Sequence, residues 1–290
     1  MLNYLLMTVY AMLVGLTMVS KKVWQKKTVG MENAMPVFLV VTAICSVITF
    51  YITARGNIAI NGVTFIYAFL YAALAILSIL VSFGAISKMS LVLHAVFANL
   101  GTLLIWLYGI VFMNDEITVK NSISALLFAT TIFVPIIGIK RNKTSILGYI
   151  LGFLLALINA SSTILVKYYA MSPAKMSDST LCFYTNVFML AAILIWQIFS
   201  PQHRPDMADI KKVKGALLLI PIASVGNNIA AIINLFVLKT MPLSVYSILS
   251  AALGCVVVFI NSGVIFREKI KSAEVISLIL STGAIIISVI

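Results

Sequence analysis

The side chains in this sequence that could do chemistry are amides, hydroxyls and phenols set inside otherwise apolar runs. Asn227 and Asn228 are adjacent, and Asn234 lies seven positions beyond Asn227, which puts those two on one face of a helix. Asn159 precedes Ser161, Ser162 and Thr163, and Asn186 follows Tyr184 by two positions. An amide in hydrocarbon must find partners, so these groups are expected to face the interior of a helix bundle. One Asn can be satisfied by a bond between helices, worth on the order of 0.6 kcal/mol. The Asn227-Asn228 pair is harder to satisfy in that way, because neighbours on a helix point about 100° apart, and a polar cavity with water or ligand accommodates both. Gly226 and Pro221 are expected to loosen the backbone at the same depth. Tyr71 and Tyr246 lie deep in their runs and could stack on a planar ligand, whereas Trp106 and Tyr108, near a run end, suit the aromatic belt of a bilayer. His94 is of the side-chain type that titrates near neutral pH and could carry a proton. The candidate ligand-binding residues are therefore Asn227, Asn228, Asn159, Asn186, Tyr71, Tyr246 and His94.

Other chemistry is excluded by what the sequence lacks. All eight acidic residues fall in polar connections or at the ends of apolar runs, so no carboxylate stands ready to couple protons at mid-membrane. Asp115 and Glu268 are expected to cap the helix that follows each of them. Paired acids or a Ser-His-Asp set cannot be assembled at one depth, which argues against an enzyme. There is no phosphate-cradling Gly-rich loop ending in Lys-Ser/Thr, and Cys45, Cys182 and Cys255 lack metal-site spacing and read as packing residues. No cofactor and no metal are expected.

The elements that must position these residues follow from composition. At 62% hydrophobic and 10% charged, with a mean hydropathy of +1.13, the 290 residues lie outside the range of water-soluble folds. A bilayer core of about 30 Å takes roughly 20 helical residues, and the apolar runs predict spans at 2–19, 35–53, 63–86, 91–113, 121–139, 145–166, 179–199, 214–238, 243–265 and 272–290. The first run has no basic residue ahead of it and no small-residue cleavage site after it, so it is expected to remain as helix 1. Fifteen of the 20 Lys and Arg residues fall after runs 1, 3, 5, 7 and 9, among them Lys21, Lys22, Lys26 and Lys27; Lys167 counts with the other five. The positive-inside rule then puts both termini outside. Basic residues scattered over short connections suit lipid headgroups rather than nucleic acid.

The chain is also duplicated. A gapless shift of 153 positions sets Asp115 on Glu268, Gly101 on Gly254, Ala98 on Ala251 and Ser124 on Ser277. In each half a long run ends at a break containing Lys (Ser87-Lys88-Met89; Lys239-Thr240-Met241-Pro242), the next ends at an acidic residue, and one more follows. Five runs per half is odd, so the halves must enter the membrane in opposite directions. The fold expected is an all-α membrane protein of ten transmembrane helices built as two inverted five-helix repeats, residues 1–143 and 144–290.

Two five-run halves, a Lys near the end of the first run of each (Lys21, Lys167), the short breaks and the acidic closes resemble the drug/metabolite transporter superfamily, specifically its EamA-like permeases. The resemblance covers the whole chain in architecture. It departs from the family where the usual Gly-Glu is Asn114-Asp115 and Arg267-Glu268, and where relatives are described with cytoplasmic termini. It implies secondary transport of amino acids, other metabolites or drugs. With buried charge scarce, the expectation is a permease for a small neutral or zwitterionic metabolite, amino acids first, in a bacterial plasma membrane. A multidrug or lipid-linked exporter and a non-transporting scaffold are the alternatives. The partners expected are a small-molecule substrate and the bilayer, with a homodimer left open and nucleic acid excluded.

Overall fold

A computed structural model describes residues 2–28, 34–86, 91–137, 146–199, 217–265 and 272–289. Within them stand ten α-helices and no strand: α1 (Leu2–Lys27), α2 (Ala34–Thr53), α3 (Gly62–Ile86), α4 (Leu91–Phe112), α5 (Val119–Ile137), α6 (Ile146–Met171), α7 (Asp178–Phe199), α8 (Leu219–Thr240), α9 (Leu243–Ile260) and α10 (Ser272–Val289). A π-helical turn, Asn261–Ile265, extends α9. Five of these helices, α2, α3, α6, α7 and α8, are long and apolar enough to cross a membrane.

Local chemistry sets the helix ends. Asn61 Oδ1 accepts from Thr64 N, Thr118 Oγ1 from Asn121 N and Ser177 Oγ from Thr180 N, so short polar side chains take up orphan amides at the starts of α3, α5 and α7. After α4, Asn114 adopts φ +53°, and the Asp115 amide bonds back to Gly109 O at 3.1 Å. Asn is among the few residues that tolerate this left-handed conformation.

The helices pair in an ordered way. α1 packs on α8 and α3 on α6, α9 on α1 and α4 on α6, and α2 on α8 and α7 on α3, while α2 meets α7, α4 meets α9 and α5 meets α10. Exchanging the first five helices for the last five leaves these pairs unchanged, while α8 also meets α6 and α7, and α9 meets α5, without comparable exchanged partners among the described residues. Asn3, at the start of α1, accepts from Thr240 at the end of α8. Lys167 near the end of α6 docks on that same α8 terminus, so α1 begins where α6 finishes.

The central apolar core draws Met7, Phe50, Tyr169, Leu181, Leu238 and Leu249 from six helices. Outward faces stay apolar: Leu126 is 69% exposed and Ile222 72%, as lipid contact requires and water would penalise. Close approaches are uneven. A Cβ at Gly101 would stand 2.7 Å from the backbone oxygen of Ala156, so α4 and α6 touch there, whereas a Cβ at Gly254 would meet nothing within 4 Å among the described residues.

Three expectations are corrected. α6 extends to Met171, so Lys167 is a buried helix residue and not a loop charge. Pro221 sits in the first turn of an unbroken α8, where a missing N–H costs nothing, and no loosening occurs at Gly226. Trp106 is packed against the cluster around Phe128 and Ile248 instead of standing in a belt.

Candidate functional site

A cavity of about 130 Å³ lies between the two halves, with room for several waters or a small metabolite. Tyr10 and Val14 of α1 and Tyr71 of α3 form the first-half wall; Val166 of α6, Cys182 of α7 and Asn227, Ala231 and Asn234 of α8 form the other. Asn227 and Asn234 share a face at a spacing of two turns, while the alanines between them keep the wall low. Its lining carries no ionised side chain among the described residues. Tyr246 of α9 donates to Asn234 Oδ1, and Tyr10 of α1 packs against the same core. The bond fixes the Tyr246 ring and the amide. What it offers a ligand is phenol and amide donors and acceptors against small apolar side chains.

The candidate residues divide accordingly. Asn227 and Tyr71 line the cavity, and Tyr246 lies one hydrogen bond behind it. Asn228 is 2% exposed and points away, accepting from Ser46 Oγ of α2 at 2.9 Å, with Ser224 beside it at 3.2 Å from Ser46. Its Nδ2 has no partner among the described residues. Asn159 accepts from Ser78 Oγ at 2.9 Å and joins α6 to α3, and Asn186 donates to Cys182 O in its own helix at 2.8 Å. His94 is in the first turn of α4, and its side chain lies outside the described part of the structure. Among the wall residues outside the candidate set are one further amide and one further phenol. Asn234 carries a legible signal in its seven-residue spacing from Asn227; Tyr10 signals itself only as a phenol in the middle of an apolar run.

Above the cavity, one helical turn beyond Leu235 and beside Val166, the short break between α8 and α9 is held by two charges. Lys167, 6% exposed, donates from Nζ to Leu238 O at 2.6 Å and Met241 O at 2.8 Å. Asp115 Oδ2 accepts from Ser244 N, in the first turn of α9, at 2.7 Å. The expected cap on the following helix is therefore corrected: Asp115 caps α9, because the left-handed Asn114 turns its carboxylate across the bundle and Gly109 leaves the space. Glu268 lies outside the described residues. The same end is tied across the halves by Asn61 Nδ2 to Ala174 O at 2.6 Å, Met176 N to Thr64 Oγ1 at 3.2 Å and Tyr184 OH to Ile58 O at 2.7 Å.

Residues 146–290 match the sequence profile described as the EamA-like transporter family. No curated protein matches the chain. A solved structure described only as a protein crystal structure superposes with a TM-score of 0.71 at 14% identity, over 97% of this chain and 94% of its own. At that identity the likeness shows a shared fold.

Proposed function

This chain belongs to the EamA-like transporter family, and from that premise we propose that it carries a small neutral or zwitterionic metabolite, amino acids first, by alternating access around the cavity between its halves. The family makes it an integral membrane transporter. The finer reading adds ten spans in two inverted repeats and residence in a bacterial plasma membrane. Two observations support the inversion: most of the extensive helix pairs survive exchange of the halves, and α1 starts where α6 ends.

The observation that carries the substrate reading is the wall itself. Tyr10, Tyr71, Asn227 and Asn234 come from both halves and present neutral donors and acceptors without a counter-ion for a net charge. A ligand with net charge would be desolvated there without compensation, at a cost of several kcal/mol. A compact zwitterion pairs its own charges and can be held by amide and phenol groups.

Purified protein reconstituted in liposomes loaded with radiolabelled neutral amino acids tests this. The expected outcome is counterflow for at least one neutral amino acid, and none for lysine or glutamate. Flux of organic cations alone would replace the metabolite reading with drug export, and absence of flux for every solute would end it.

A further inference from the structure

We propose that Asp115 and Lys167 form a charged latch that holds the α8–α9 turn across one end of the cavity, and that release of α9 by Asp115 is a step in opening that end. The inference rests on the transport reading and adds to it a moving part.

The argument begins with the break itself. Where α8 stops, its last carbonyls lack intrahelical partners and carry a partial negative charge; where α9 starts, its first amides lack partners and carry a partial positive one. Lys167 answers the first and Asp115 the second. A charge-assisted bond in a water-poor setting is about twice as strong as a neutral one, so this turn is pinned more firmly than the helix packing alone would pin it. The two bonds differ in reach. Lys167 and its carbonyl partners belong to the same half, so that contact survives relative motion of the halves. Asp115 reaches from the first half into the second, so its contact with Ser244 breaks when the halves separate at this end. Among the described contacts between the halves here, Asn3–Thr240, Asn61–Ala174, Thr64–Met176 and Tyr184–Ile58 are neutral. Asp115–Ser244 is the charged one.

The position is right for a roof. Val166 and Leu235 line the cavity, and Lys167 and Leu238 are the adjacent residue and the next turn above them. Cys182 lines the same upper part, one turn into α7, and offers a native reporter.

The test is the labelling rate of Cys182 in reconstituted protein with Cys45 and Cys255 changed to Ser. A membrane-impermeant thiol reagent is added from the side that bears residues 172–177, or from the opposite side. Asp115→Asn and Asp115→Ala are expected to raise labelling from the first side by about tenfold, equivalent to about 1.4 kcal/mol, without raising it from the other. Asp115→Glu, which keeps the charge, should restore slow labelling. Ser244→Pro, at the second position of α9, removes the amide donor and sets a ring carbon against the Asp115 carboxylate while leaving both charges in place, so it breaks the contact and should act as Asp115→Ala does. It serves also if the Asp115 variants do not fold. Unchanged labelling in folded Asp115→Ala and Ser244→Pro, or an equal rise from both sides, would overturn the latch. Labelling needs no substrate, so a one-sided rise in liposomes that show no flux would count against the carrier reading and not against the latch.

Discussion

Asn114 and Asp115 show how a departure from a family pattern can preserve its physics. Where the family resemblance implies Gly-Glu, this chain has Asn, the residue next best suited to φ +53°, and a shorter acid that still reaches Ser244. Asn114→Gly should therefore leave thermal stability in detergent unchanged or slightly raised. Asn114→Val places a β-branched residue in the same conformation and should lower stability by about 1–3 kcal/mol, measured as a fall in the unfolding midpoint. Lys167→Met removes an ammonium from two carbonyls in a buried site, and the unsatisfied acceptors should cost about 1–3 kcal/mol each. On the cavity wall, Asn227→Ala should raise KM for the transported solute several-fold with the unfolding midpoint kept. Asn228→Ala should lower the midpoint instead, since that amide binds Ser46 and not the cavity. From sequence both amides were equal candidates. Which of two neighbours about 100° apart faces a void depends on how α8 is rotated against α2, and that rotation is a tertiary outcome.

The helices themselves were legible because a bilayer asks for continuous apolar runs and the polar breaks interrupt them visibly. α3, α4, α7 and α10 begin and end within two residues of the predicted runs. Two of the misses share a cause. A charge was taken as the end of a helix, yet α1 continues to Lys27 and α6 continues through Lys167 to Met171. A lysine inside a helix is affordable when backbone carbonyls from a neighbour meet it, and nothing in the local sequence of α6 announces the end of α8. The glycines belong to this scale as well. Gly101→Ala would drive a methyl group into the Ala156 carbonyl, and the overpacking should cost about 1–3 kcal/mol, read as a lower unfolding midpoint.

For the whole molecule, the informative pattern is the set of helix pairs that survives exchange of the halves. The duplication read in the sequence, with a register that sets Asp115 on Glu268 and Gly101 on Gly254, leads one to expect a pairing of this kind. It could not foretell that the two members of a pair would be used differently. Gly101 is pressed against α6, while Gly254 has open space before it among the described residues. If carriage has the halves trade places, as proposed, position 254 would take up in the exchanged conformation the close contact that Gly101 makes here. One added carbon there would go unfelt at rest and would jam the return stroke: Gly254→Val should keep its melting point and its affinity for the solute, yet turn a carrier into a trap.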